Sequence, residues 1–158
     1  MPDGYGMSSS TTQSRTPWET IALQLTRARN YWLCTVRYDD RPHAMPVWGL
    51  WVNDHFLFST DPSSRKGVNL AEIPDAVMHL ESGDDVVVVD GSVSRLPITE
   101  LPETFVDDYE AKYGFRIELD YADPEANASY GFYSLKPRSV LVWDESDFPG
   151  TATRWRFA

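Results

Sequence analysis

The 158-residue chain has one cysteine, few basic residues and no long apolar run, and each shortage excludes a class of protein. With Cys34 alone no intramolecular disulfide can form, and its apolar surroundings predict a small buried residue. Fourteen Lys and Arg against 24 Asp and Glu give a net charge of −10, which argues against nucleic acid and anionic membranes as partners. Without a membrane-spanning run or a secretory signal, we expect a cytoplasmic protein.

Motifs that mark common enzyme classes are also missing. The three histidines, His43, His55 and His79, are scattered, so with the single cysteine they form no metal-ligand spacing and we expect no metal site. The chain has no nucleophile elbow, no P-loop and no dinucleotide-binding glycine fingerprint. The sequence therefore gives no support to the reaction classes that depend on those motifs.

Aromatic side chains are abundant, in a chain of single-domain length. They make up 13% of the residues, which favours buried flat surfaces, an interface or a ligand pocket. Residues 1–15 are rich in Gly, Ser and Thr, and we expect them to form a disordered arm. Residues 16–158 are long enough to form one domain with its own core.

Strands dominate the apolar pattern of that domain. Alternation and turn residues predict strand segments at Tyr31–Tyr38, His43–Val52, His55–Thr60, Ala76–Glu81, Asp85–Leu96, Phe132–Leu135, Val140–Trp143 and Thr151–Phe157. Helical spacing predicts Trp18–Arg29 behind a Thr16–Glu19 capping box, Ser64–Ile73, and Glu100–Tyr113 with Gly114 as C-cap. Pro46 implies an edge strand or a bulge. We expect a mostly-β barrel of roughly six or seven antiparallel strands with two or three short helices.

The segment between the third strand and the second helix carries an unusual charge pattern. Ser64 is placed to cap the helix, and Arg65 and Lys66 then fall in its first turn, which already has about half a positive charge. Two cations there cost roughly 0.3–1 kcal/mol each unless an anion lies beside them. Backbone N–H groups, both cations and the hydroxyls of Ser59, Thr60 and Ser64 are placed to bind a phosphate. The residues alone leave open a surface helix whose basic side chains turn to water.

Three segments together resemble a known family. Arg41–Trp48, Phe58–Thr60 and Ser64–Leu70, in this order, are similar to the pyridoxamine 5'-phosphate oxidase-like split β-barrel superfamily, which contains flavin- and deazaflavin-dependent oxidoreductases. The resemblance extends over about residues 16–158, and residues 43–70 are its specific part. It implies a split β-barrel and a homodimer with two cofactor sites at the subunit interface.

The resemblance also implies roles for individual residues. It places Pro46, Val47 and Trp48 along the isoalloxazine-type ring. Independently of the resemblance, the odd separation of Trp48 and Trp51 in one strand predicts opposite faces, with Trp51 toward the core, and the alternative is that both simply pack. The resemblance gives Ser59 and Thr60 contacts to the ribityl chain or the phosphate, and it gives Arg65 and Lys66 the phosphate itself. Asn69 is a weaker transfer from the family pattern. Arg154 and Trp155 close the site, from the partner subunit in one version of this arrangement.

The leading hypothesis is a hydride-transfer enzyme for a small organic substrate that uses coenzyme F420, with FMN as the close alternative. The sequence demands no dedicated acid, and water, His43 or Tyr133 are the candidates for protonation. Arg154-Trp155-Arg156 stands where pyridoxamine phosphate oxidases carry an Arg-x-His motif, which argues against oxidation of vitamin B6 phosphates.

Two further readings stay open. A non-catalytic protein that binds or carries a flavin, a deazaflavin or a haem-like tetrapyrrole needs the same phosphate pocket as the enzyme. A purely structural β-barrel binds no cofactor at all.

Overall fold

The computed structural model describes residues 16–123, 127 and 130–157, so the arm expected at residues 1–15 lies outside the described part. Within that part the chain forms eight strands and four α-helices. The strands are β1 Tyr31–Val36, β2 Pro42–Val47, β3 Gly49–Val52, β4 His55–Thr60, β5 Asp75–His79, β6 Asp85–Leu96, β7 Gly131–Asp144 and β8 Thr153–Arg156. The helices are α1 Trp18–Arg27, α2 Arg65–Glu72, α3 Phe105–Tyr113 and α4 Phe148–Thr151.

The strands form one antiparallel sheet whose order explains its curvature. The order is β2-β1-β5-β6-β7-β4-β3, and β8 pairs with β7 beside this path. Val47 pairs with Tyr31 at one end of the sheet, and Gly49 pairs with Phe58 at the other. Because Trp48 alone links β2 to β3, the two ends of the sheet must meet, and the sheet curls into a half-barrel. We call residues 47–49 the barrel junction. The predicted split β-barrel is confirmed.

Two hydrophobic clusters lie on opposite faces of the curled sheet. The inner cluster fills the barrel with fully buried side chains, among them Leu33, Phe56 and Phe58. The outer cluster packs α3 against the other face of β3, β4 and β7, through residues such as Leu57 and Phe105. Successive β4 residues therefore enter different clusters, as strand alternation requires.

Several predicted boundaries are wrong, for identifiable local reasons. The Thr16–Glu19 capping box does not form, because Pro17 is the N-cap of α1 and no side chain caps that helix. The predicted helix Glu100–Tyr113 begins only at Phe105. Leu101 has ψ 143°, since the following Pro102 disfavours helical backbone at the residue before it. Gly114 does cap α3, with φ 68°.

The strand segments also divide differently from the prediction. His43–Val52 is two strands separated by Trp48, and Pro46 lies in the edge strand β2, as its missing N–H predicted. The two late segments are one strand, β7. Pro137 fits within β7 because it lies between the residues paired with β4 and those paired with β8, where one side has no described partner strand.

The α-helices of the described residues are too short or too polar to cross a lipid bilayer.

Candidate functional site

A short hydrogen-bonded loop connects β4 to α2 and sets the start of the helix. The Asp61 carboxylate accepts a bond from the Ser63 N–H at 2.7 Å, and the Ser64 N–H donates to the Asp61 carbonyl at 3.0 Å. The Ser64 hydroxyl accepts the Gly67 N–H at 3.2 Å and lies 3.2 Å from the Thr60 hydroxyl. Ser64 is therefore the N-cap of α2, as the sequence predicted, and the two hydroxyls lie side by side at the helix N-terminus.

The first turn of α2 packs directly on this loop. A Cβ on Gly67 would lie 2.5 Å from the Pro62 carbonyl oxygen and 2.7 Å from that of Asp61. Both atoms are backbone, so no side chain could move aside, and only glycine allows this approach. The residue thus keeps the loop and the helix N-terminus at a fixed separation.

The predicted cations lie at this helix start, and Lys66 is close to the Asp61 carboxylate. Hydrogen bonds from Ser63 lower the pKa of Asp61, and the charge of Lys66 lowers this pKa further. Arg65 is exposed and Lys66 is half-buried, and neither forms an ion pair with another described residue. Helix α2 has no acidic residue in its first turn to balance them. The helix start therefore has an excess of positive charge, although the chain as a whole is strongly acidic.

Two more basic side chains, which the sequence analysis did not assign to the phosphate, lie nearby. Burial lowers the pKa of His43, and the positive charges of Lys66, Arg65 and Arg37 lower this pKa further. These effects favour the uncharged form of the His43 imidazole. Its Nδ1 is buried and has no hydrogen-bond partner among the described residues. The loop, the helix start and this part of β1 and β2 thus form one basic cluster: Arg37, His43, Arg65 and Lys66.

Asn69 holds α2 on the sheet. Its side chain is 2% exposed, and its Nδ2 donates to the Thr35 hydroxyl at 2.9 Å. Thr35 pairs with His43 across β1 and β2, so this bond holds α2 against the part of the sheet that carries His43. Asn69 thus supports the position of Arg65 and Lys66 by holding their helix on the sheet.

The residues expected along the ring lie farther along β2. Pro46 is exposed on the edge strand, while Val47 is buried in the inner cluster. Trp48 is 39% exposed and stacks on Tyr113, with ring centroids 4.6 Å apart. Trp51 is buried and lies against Trp18, so the two tryptophans have the opposite orientations that the sequence predicted. From His43 to Val47 the strand extends roughly 13 Å at about 3.3 Å per residue.

The structure does not bring Arg154 and Trp155 to the loop of the same chain. Thr60 pairs with Gly131 at the start of β7, whereas Arg154 pairs with Leu141, ten residues farther along that strand. Arg154 is exposed on β8, and Trp155 packs against Trp18 beside the inner cluster.

Of the two candidate acids, Tyr133 lines a small cavity together with Pro62 of the loop and Gly67 of the helix start. Tyr133 is buried in the inner cluster and stacks on Phe58 at 5.3 Å, and burial raises the pKa of its phenol. His43 belongs to the basic cluster. Among the described residues no group of His, Cys, Asp and Glu is arranged to hold a metal ion.

The sequence contained no sign of Arg37 or Lys112 at the site, and it indicated His43 only as a candidate for protonation, not as a member of the basic cluster. Arg37 and His43 join the cluster through strand pairing, and only the register of β1 with β2 shows it. Lys112 donates three hydrogen bonds at the barrel junction, although its place on an exposed-looking helix face gave no signal.

Comparisons with known proteins agree with this fold. No curated protein matches the chain. Similar solved structures include an F420 reductase (21% identity, TM-score 0.59, covering 75% of this chain and 93% of that one). A conserved hypothetical protein from Mycobacterium tuberculosis has 21% identity and a TM-score of 0.67, with 87% and 91% covered. HutZ, a haem storage protein from Vibrio cholerae, has 15% identity and a TM-score of 0.61, with 81% and 94% covered.

At these identities the solved structures support the fold alone. The family model described as pyridoxamine 5'-phosphate oxidase, however, matches residues 18–144, which is most of the chain. The match includes both the β1–β2 pair and the loop before α2, and it confirms the resemblance found in residues 41–70. The chain belongs to the pyridoxamine 5'-phosphate oxidase family.

Proposed function

We propose that this protein is an oxidoreductase that binds a flavin-type cofactor, coenzyme F420 or FMN, and transfers a hydride to or from a small organic molecule. The observation that carries the proposal is the basic cluster at the start of α2. Its two helix-start cations, Arg65 and Lys66, form no ion pair with a described residue, and the Ser64 and Thr60 hydroxyls lie at the same helix start. A phosphate at this position would neutralise the charge.

The residues present fit such a cofactor at both of its ends. Ser59, Thr60, Ser64, Arg65 and Lys66 would hold the phosphate, with His43 Nδ1 as a further polar atom in reach of the cluster. The exposed edge of Pro46, the backbone of Val47 and the half-exposed Trp48 would line the ring. When bound, the cofactor supplies the hydride-transfer chemistry, and the protein's part is to bind it, orient it and limit water.

The choice between the two cofactors has support on each side. The similar fold of an F420 reductase supports F420. The family model is named for an oxidase of a phosphorylated substrate, and that name includes neither cofactor. F420 carries an acidic tail beyond its phosphate, and the protein's net charge of −10 repels that tail, which supports FMN. Arg154-Trp155-Arg156 replaces the Arg-x-His motif, so we propose a substrate other than a B6 phosphate.

The test is a parallel fluorescence titration of the protein with FMN and with F420. Replacing Arg65 and Lys66 together by methionine should weaken the preferred cofactor by more than about 100-fold, since charge-assisted bonds contribute about 1.5–3 kcal/mol each. The double variant Arg27→Met with Lys136→Met removes the same charge at exposed positions away from the cluster and is the control. Its affinity should stay within about threefold of the wild type.

Equal affinity of the wild type and the Arg65/Lys66 variant for the cofactor would show that its phosphate does not bind at these two residues. Binding of neither cofactor would favour the structural-barrel reading. Binding with no oxidation of the reduced cofactor in the presence of candidate acceptors would favour a carrier of the flavin or deazaflavin.

We further propose a homodimer whose cofactor sites lie between subunits, with Arg154 and Trp155 reaching the partner's site. The support is geometric, because β8 lies far along β7 from the loop of its own chain. We also propose a cytoplasmic location, since a single free cysteine fits a reducing compartment.

A further inference from the structure

The ammonium of Lys112 lies at the barrel junction and has no carboxylate partner among the described residues. It donates to the Tyr31 hydroxyl at 2.7 Å and to the carbonyls of Gly49 and Thr26 at 3.1 Å each. Its three hydrogens thus match three acceptors. The acceptors belong to the end of α1, the start of β1 and the start of β3.

Tyr113, the next residue of α3, bonds to the same junction. Its hydroxyl accepts the Gly49 N–H at 2.9 Å and lies within donating distance of the Gly49 carbonyl (2.8 Å) and the Arg29 carbonyl (2.9 Å). Its ring stacks on Trp48 with an interplanar angle of 10°. The Arg29 guanidinium lies over both rings, at 5.7 Å from Trp48 and 5.6 Å from Tyr113. Gly49 and Trp48 are therefore held from the α3 side by consecutive residues.

The groups that face Lys112 make its charge state matter. Burial lowers the pKa of Lys112 to about 8. Burial raises the pKa values of Tyr31 and Tyr113, so both phenols stay neutral in this range. The Arg29 guanidinium also faces this group and donates to the Lys112 carbonyl at 3.3 Å. Lys112 is thus the group here that changes charge near pH 8, and a neutral amine has one hydrogen fewer than the three acceptors require.

We propose that Lys112 is a positioning residue whose protonated ammonium fixes the Trp48–Gly49 peptide, and with it the wall of the cofactor site that faces the ring. The part concerning the ring rests on the function proposed above. Lys112 itself touches neither substrate nor cofactor in this arrangement. Its effect passes through the Gly49 carbonyl and through the Trp48 stack on Tyr113.

The experiment compares Lys112→Met with the wild type by two-dimensional ¹H–¹⁵N NMR without cofactor. In the wild type, the Trp48 indole and Gly49 amide signals should shift with pH in a single step with a midpoint near 8. In Lys112→Met both signals should be displaced or broadened and lose this step. Lys136→Met removes an exposed lysine of β7 and should keep it.

The second readout is affinity for whichever of FMN and F420 binds. Lys112→Met should weaken it about tenfold, whereas Lys136→Met should leave it within about threefold. Wild-type Trp48 and Gly49 signals that do not move between pH 6.5 and 9.5 would overturn the proposal. That titration needs no variant, so it decides the matter even if Lys112→Met fails to fold.

The two proposals fail in different ways. If neither cofactor binds the wild type, the proposed function fails. The NMR titration of Trp48 and Gly49 still tests whether Lys112 fixes the barrel junction. If the cofactor binds and Lys112→Met changes neither its affinity nor the two NMR signals, the positioning role alone is wrong.

Discussion

Lys112 couples the stability of the fold to pH, because its pKa differs between the folded and unfolded chain. The folded protein releases this proton near pH 8, whereas the unfolded chain keeps it until about 10.5. Below pH 8 both the folded and the unfolded chain hold the proton, so Lys112 does not make the free energy of unfolding depend on pH. Between about 8 and 10.5 the unfolded state binds more protons, and the free energy of unfolding therefore rises with pH through this residue.

The measurement is urea unfolding of the wild type and Lys112→Met at half-unit steps from pH 7 to 9.5. We expect the wild-type value minus the variant value to be flat below about pH 8 and to increase above it. The subtraction cancels the other titrating groups, such as Tyr109, whose pKa burial raises to about 12. A difference that falls with pH would mean that the ammonium is better solvated than its surroundings indicate.

Residues were predictable where a local rule was visibly broken. Arg65 and Lys66 attracted attention because cations in the first turn of a helix oppose its dipole. The basic partners His43 and Arg37 break no local rule. They reach the cluster because β1 and β2 pair in one particular register, and side-chain alternation leaves that register open until the sheet is known.

Secondary-structure elements were predictable where turn chemistry was strong. Asn53 and Asp54 have φ of 49° and 60°, as a tight hairpin requires, and β4 begins and ends as predicted. The start of α3 was missed because apolar spacing continued upstream through Leu101, while Pro102 ruled out helical backbone there. The division at Trp48 was missed because the segment reads as one apolar run, although its halves pair with opposite ends of the sheet.

The predicted glycine C-cap of α3 can be tested by substitution. Gly114 has φ 68° and a Cβ there would meet no atom within 4 Å, so Gly114→Ala adds backbone strain without a clash. We expect the free energy of unfolding to fall by about 1–2 kcal/mol, the cost of a left-handed conformation for a residue with a side chain. Urea unfolding monitored by circular dichroism measures it.

Gly83→Ala is the matched control, since a Cβ there also meets nothing within 4 Å and the backbone is not left-handed. It should change stability by less than about 0.5 kcal/mol. Equal losses of stability in the two variants would show that the left-handed backbone at Gly114 does not strain an alanine there.

On the scale of the whole molecule, the fold class followed from many short strands and few helices, because such a chain buries apolar faces best in a curled sheet. What the sequence could not establish is how many chains complete a site. Arg154 pairs with Leu141, ten residues along β7 from the residue that pairs with Thr60. Under the proposed function, an Arg154 that contacts the cofactor held at Arg65 and Lys66 therefore comes from a second copy.

Mixing two defective chains tests this arrangement. One carries Arg65→Met with Lys66→Met and the other carries Arg154→Met, an exposed position whose change should leave the fold intact. If each site combines the α2 loop of one chain with Arg154 of the other, unfolding and refolding the mixture creates heterodimers with one doubly defective and one intact site. Random pairing makes about half of the dimers mixed, so about one quarter of all sites should regain wild-type affinity.

The readout is a cofactor titration at a concentration that fills only intact sites, with each variant refolded alone as the baseline and sedimentation velocity to verify dimers at micromolar concentration. Recovery above the baseline requires both that the protein dimerises and that Arg154 acts across the interface. If both variants bind weakly but their mixture gains nothing, the site lies within one chain, and β8 must then approach the loop in a conformation different from this one. If Arg154→Met alone binds as tightly as the wild type, Arg154 has no part in the site and the shared arrangement loses its main argument, whatever the oligomeric state.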